Sequence, residues 1–230
     1  GKSISYFSIY TSADIFLIDN IQWSAPVAGL TTTHTIPAST AAIVTSGGTG
    51  TKTFSMPSVS GLTLNSTTGV ISYDGSIAAG TYYETVTVTD AKGSTTTTVV
   101  TIVINPDVTI SGNSLVTATQ NKSFTDTYTA SGGTGSDTFT IDTNAYGITI
   151  GESTGVVTIP STLASGDYSI TIHATDSVGF VANKTISVHV NVPLVLSGGQ
   201  DTLTTTYGRA DTSTAFVASG GTVSYKYSIA

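Results

Sequence analysis

The stretch GLTLNSTTGVISYDGSIAAGTYYETVTVTDAKGSTTTTVVTIVI runs from Gly61 to Ile104, and its punctuation returns from Gly147 to Val190 as GITIGESTGVVTIPSTLASGDYSITIHATDSVGFVANKTISVHV. Both copies keep one order: a short apolar strand, a Thr-Gly turn, a second strand, a Gly-Thr or Gly-Asp corner, a long alternating strand ending in Thr-Asp, a turn with Gly, and a closing alternating strand. Side chains on a strand have a period of two, so Val86 and Val88 share one face and Thr85, Thr87 and Thr89 the other. The closing strand supplies Val100, Ile102 and Ile104. In the second copy Ile170, Ile172 and Ala174 match Ile186, Val188 and Val190. One apolar face per strand, interrupted by turns and written twice, predicts an all-β chain of tandem antiparallel sandwiches.

A second signature stands ahead of each copy, in Val44-Thr45-Ser46-Gly47-Gly48-Thr49, in Thr129-Ala130-Ser131-Gly132-Gly133-Thr134 and again in Val217-Ala218-Ser219-Gly220-Gly221-Thr222. Glycine tolerates positive φ, which such a turn requires. Phe54, Phe139 and Tyr227 are expected to open the inward-facing strand that follows. Glycine-rich loops also cradle phosphate, but that needs a helix N-terminus behind the glycines, and here a strand is expected. Tyr82 and Tyr168, just ahead of the long strands, are expected to anchor a sheet edge.

Pro26, Pro106 and Pro193 each precede a copy, and proline removes a ladder donor and stiffens a crossing. The expected domains are therefore 1–24, the closing strands of a preceding β domain; 25–105, a first repeat; 106–191, a second; and 192–230, the truncated start of a third. Ile15 to Ile18 reads as a buried strand, and the IDNI-W segment ending at Trp23 resembles the last strand of jelly-roll modules in carbohydrate-binding proteins. The linkers are short, so neighbouring repeats are expected to be semi-rigid. Residues 193–230 carry too few strands to bury a core.

Composition narrows the function classes. Charged residues are 9% of the chain while Ser and Thr are about a third, so the exposed strand faces are Thr/Ser faces. Seven Lys and Arg against fourteen Asp and Glu give a net charge of -7, which disfavours nucleic acid and anionic membranes as partners. The chain has no cysteine, so it has no disulfide, thiol nucleophile or zinc-thiolate site. No apolar run is long enough to span a bilayer as a helix, so no membrane insertion is expected of this segment.

With these residues in view, the two copies resemble the immunoglobulin-like and cadherin-like repeats of bacterial surface proteins. The resemblance rests on Gly61-Leu62, Thr68-Gly69-Val70-Ile71-Ser72, Ala79-Gly80-Thr81-Tyr82 and Val88-Thr89-Asp90 with Gly93. It rests equally on Gly147-Ile148, Thr154-Gly155-Val156-Val157, Ser165-Gly166-Asp167-Tyr168 and Ala174-Thr175-Asp176 with Gly179. It implies a seven-stranded sandwich used as a stalk or adhesion module, extracellular or at the cell surface. The implied partners are neighbouring repeats of the same longer chain, glycans or other surface proteins. Cadherin-type arrays bind calcium between domains, which makes Asp90, Asp107 and Asp176 the candidate ligands. The other reading of Asp90 and Asp176 is that they accept backbone hydrogen bonds in the turn that follows.

His173 and His189 fall on the outward face by alternation, and pairing about the Asp176 to Gly179 turn sets Lys184 opposite the first and Tyr168 opposite the second. Together with His34 they read as solvated side chains, because a metal site needs three or four convergent groups. Abundant Ser and Thr give a Ser-His-Asp combination no weight without geometry, and Asp14 and Asp19 border one short strand only. No enzyme is expected. Asn65, Asn121 and Asn183 stand in N-x-S/T sequons, about as many as chance would supply. The reading is a structural stalk or adhesion module of a secreted or surface repeat protein. The alternatives are accessory repeats attached to a carbohydrate-binding jelly-roll domain, or part of a viral or phage fibre or capsid decoration.

Overall fold

In the computed structural model residues 29–142 and 146–229 are described. The strand expected within 1–24 and the boundary at Pro26 lie outside them. Among the described residues every regular element is a β-strand, and no helix is long and apolar enough to cross a membrane.

The first repeat holds β1 (Leu30–Thr33), β2 (Ala38–Ser39), β3 (Thr53–Ser55), β4 (Leu62–Leu64), β5 (Ile71–Tyr73), β6 (Gly80–Thr89) and β7 (Thr95–Asn105). They form a four-stranded sheet in the order β1-β7-β6-β3 and a three-stranded sheet β2-β5-β4. Val86, Val88, Val100, Ile102 and Ile104 are buried as the alternation requires, with Phe54, Leu62, Ile71 and Tyr73. Each of these strands therefore gives one face to a core.

The second repeat repeats the plan with β8 (Thr109–Ser111), β9 (Leu115–Thr119), β10 (Phe124–Thr127), β11 (Thr129–Ser131), β12 (Thr138–Ile141), β13 (Thr149–Ile150), β14 (Val156–Ile159), β15 (Gly166–Thr175) and β16 (Val181–Asn191). Its four-stranded sheet is ordered β12-β15-β16-β9, its three-stranded sheet β10-β14-β13, and β11 pairs with β8. One core cluster joins Ile170, Ile172, Ala174, Ile186, Val188 and Val190 of the larger sheet to Val157 and Ile159 of the smaller, closing a two-layer sandwich. β9 runs parallel to β16, with Ser187 beside Leu115 and Asn191 beside Thr119. Tyr168 lies within β15 rather than ahead of it, packed against the core, with its hydroxyl donating to the Ala164 carbonyl at 2.9 Å.

The β15–β16 hairpin differs from its expected register. His173 lies opposite Asn183 and His189 opposite Asp167, rather than opposite Lys184 and Tyr168. The cause is the turn. The Asp176 amide donates to the Phe180 carbonyl at 3.0 Å, and Gly179 takes a φ of 93°, so three residues rather than an even number make the connection. That moves every partner by one position.

Beyond Asn191, β17 (Val195–Gly198) pairs with β18 (Phe216–Ser219), and Val195, Leu196, Phe216 and Val217 are all exposed. Tyr227 departs from expectation: it is 60% exposed and outside any strand. Its counterparts Phe54 and Phe139 are covered by complete sandwiches, whereas two strands offer no second layer. Compactness divides the described chain into one unit of 29–30, Pro37–Ser76 and Thr81–Val103, and a second of Thr31–Ile36, Ile77–Gly80 and everything from Ile104 on.

Candidate functional site

The long strand of each repeat ends on an aspartate, and the surroundings of that carboxylate recur. In the first repeat Asp90 Oδ1 accepts the amides of Lys92 at 2.8 Å and Ser94 at 2.9 Å, and Oδ2 accepts the Thr49 amide at 2.8 Å. In the second, Asp176 Oδ1 accepts Val178 at 3.0 Å and Phe180 at 2.8 Å, and Oδ2 accepts Thr134 at 2.9 Å. The Ser-Gly-Gly-Thr turn and the Thr-Asp turn are thus tied together in each repeat. These are the two signatures that the sequence shows separately.

Asp176 has one donor more. The Thr33 hydroxyl donates to its Oδ2, and both residues are buried, Thr33 completely and Asp176 at 5% exposure. An ionised carboxylate offers about four lone-pair sites, and all four are now used. Burial alone would raise the Asp176 carboxyl, but the bonds from Thr33 and from the Thr134, Phe180 and Val178 amides outweigh it and hold the group below the ordinary aspartate value. The Asp90 carboxyl is also held low, by the Thr49 and Ser94 amides first.

The three candidate calcium ligands therefore sit in different settings. Asp107 meets His34, with Oδ1 and Nδ1 3.0 Å apart. Among the described residues no three His, Asp or Glu side chains form a group that could hold a metal ion. Calcium takes six to eight oxygens, and an ion on Asp176 would have to displace donors already in place.

Sequence reasoning passed over Asp137. It stands where the first repeat has Lys52, three residues past the turn threonine in both copies. Its Oδ1 is buried without a hydrogen-bond partner, and its pKa is raised, by burial first and then by the Asp176 charge. Aligning Thr-Gly-Thr-Lys with Thr-Gly-Ser-Asp would have exposed this reversal of charge.

Each histidine faces an aspartate. His173 Nε2 lies 2.8 Å from Asp142 Oδ1 and Nδ1 lies 2.5 Å from Asn183 Oδ1. His189 Nδ1 lies 2.5 Å from Asp167 Oδ1 and Nε2 lies 3.2 Å from Asn191 Oδ1. Two acceptors on one imidazole favour the doubly protonated ring. Accordingly the Asp142 and Asn183 bonds raise His173, and the Asp167 bond leads in raising His189. Of the sequons, Asn65 is engaged in its own turn, accepting the Thr67 and Thr68 amides at 2.9 and 3.1 Å.

Comparison with known proteins bears on the fold. Residues 16–105 match the family described as "Putative Ig domain". No curated protein matches the chain in sequence. Similar solved structures include protocadherin gamma B2 extracellular cadherin domains 3-6, at 16% identity and a TM-score of 0.35, covering 76% of this chain and 49% of that one. They also include fibronectin(III)-like modules of Clostridium thermocellum CbhA, at 17% identity and a TM-score of 0.35, covering 73% and 92%. A third is a SusE-like, surface located polysaccharide binding protein of Bacteroides thetaiotaomicron, at 16% identity and a TM-score of 0.32, covering 72% and 33%. The chain thus spans about half of the protocadherin chain and a third of the SusE-like one. The fold is all-β, and over residues 16–105 the chain is similar to the Putative Ig domain family.

Proposed function

We propose that this chain is a load-bearing spacer segment of an extracellular or surface repeat protein, which holds a distal binding or anchoring element in position. The observation that carries the reading is the parallel ladder of β9 and β16, the second strand and the last strand of the second repeat, with only the three-residue β8 ahead of β9. Parallel strands pulled from opposite ends slide past one another, so their hydrogen bonds load together in shear rather than opening one at a time. Five registered pairs, Ser187 with Leu115 through Asn191 with Thr119, share that load. Weakly charged Thr/Ser faces are consistent with a passive role. Neighbouring repeats are the proposed partners, and glycans or other surface proteins would meet the elements that the spacer presents.

Single-molecule stretching of the full chain tests this. The expected trace has discrete unfolding events, each lengthening the chain by roughly 25 nm, the contour of about 80 residues less their folded span. A smooth extension without events would overturn the spacer reading. Saturable binding of a glycan by the described repeats themselves would replace it with a carbohydrate-binding one.

A further inference from the structure

We propose that the Ser-Gly-Gly-Thr turn and the following Asp form a socket for a threonine hydroxyl, through which one repeat of this kind receives the Thr-and-Asn end of another. Proton bookkeeping in the second compact unit fixes the direction of its bonds. The Asn105 Nδ2 group can only donate, and it gives to Thr134 Oγ1 at 3.0 Å. Thr134 Oγ1 and Thr33 Oγ1 are 2.9 Å apart, and the Thr33 proton is already given to Asp176. Thr134 must therefore supply the proton between the two hydroxyls. The chain of donors runs one way, from Asn105 to Thr134 to Thr33, and ends on a negative charge. In that arrangement each bond polarises the next.

The backbone around it is pinned as well, the His34 amide on the Asn105 carbonyl at 2.8 Å and the Gly133 amide on the Pro106 carbonyl at 2.8 Å. The set recurs one copy further on. The Gln120 amide donates to the Asn191 carbonyl at 2.9 Å and the Gly221 amide to the Val192 carbonyl at 2.7 Å, and Thr119 Oγ1 lies 3.2 Å from Thr222 Oγ1. Thr119 and Asn191 follow Thr33 and Asn105 by one repeat length, and Thr222 follows Thr134 in the third Ser-Gly-Gly-Thr. Asp90 is the same socket with the equivalent three amide bonds made and no hydroxyl donor to it among the described residues. The occupant that fits it is the Thr-and-Asn end of a further repeat.

This deepens the spacer reading without sharing its test, since stretching reports the ladders and the following titration reports the socket. In the full chain, carbon NMR follows the Asp90 and Asp176 carboxyls through pH, and amide exchange follows Thr49 and Thr134. Thr33→Val is expected to raise the Asp176 midpoint and to speed Thr134 exchange about ten-fold, the worth of one hydrogen bond to a charged group. Thr33→Ser restores both, and Asp90 and Thr49 stay unmoved throughout. Asn105→Ala shifts Asp176 the same way by less, and serves if Thr33→Val fails to fold. Wild-type values for Asp176 and Thr134 in these variants would overturn the proposal, as would an equal shift at Asp90. Calcium chloride that moves the wild-type Asp176 carbon signal would also overturn it, by giving the socket to a cation.

Discussion

Asp176 couples pH to stability through a sign that its surroundings fix. Its folded pKa is depressed, so the stability it contributes is complete above the unfolded aspartate value of about 4 and is lost as pH falls through the folded value. Asp176→Ala strands amide donors in a buried turn and is expected to cost about 2–4 kcal/mol at pH 7 by urea denaturation, the penalty shrinking as pH falls through the folded value. Asp137 has the opposite sign. Its raised pKa means that the folded state prefers the protonated acid, so ionisation at neutral pH is a cost. Replacing it with the residue of the first repeat, Asp137→Lys, should gain up to about 1 kcal/mol at pH 7 in the same assay. His173 and His189 are raised, so their contribution is full below about 6.5 and disappears as pH climbs through their folded values. Proton NMR should place both midpoints above 6.5, and Asp142→Asn should lower that of His173 alone. The sequence makes Asp90 and Asp176 conspicuous because each ends a Thr-Asp strand. Thr33 was illegible, since its partner lies 143 residues away and threonine is everywhere in the chain.

Among the elements, the aliphatic alternation of β6, β7, β15 and β16 was readable in full, because strand period and burial obey the same rule. Loop parity was not, because whether a turn spans an odd or even number of residues depends on one glycine's φ rather than on composition. The glycine turns give a comparison within one molecule. Gly48 and Gly133 occupy equivalent positions at φ 68° and 66°, so alanine at either pays the left-handed penalty of about 1 kcal/mol. A methyl on Gly133 would also lie 2.5 Å from Val108 Cγ2, whereas on Gly48 its nearest neighbours are the Asp90 side chain at 3.2 Å. Gly133→Ala should therefore cost about 2–3 kcal/mol and Gly48→Ala about 1 kcal/mol by thermal denaturation. In β9, Val116→Pro removes an amide from the strand that pairs with β16. Stretching this variant should lower the force of one unfolding event and leave the other unchanged.

At the scale of the whole molecule, the account holds that two successive copies of one pattern each close a two-layer β core, while among the described residues past Asn191 the β17–β18 pair leaves its apolar residues exposed. The strand order was legible, and so was the shortage of strands past Asn191, since turn punctuation and strand number can be counted directly. The grouping of Thr31–Ile36 with the second compact unit was not, because it depends on hydrogen bonds between residues far apart in sequence. Hydrogen exchange of the full chain, followed by mass spectrometry of its peptides, tests the claim most directly. The expected result is strong, comparable protection of 80–105 and 166–191 and near-free exchange across 195–219. Exchange over 166–191 as fast as over 195–219 would contradict it.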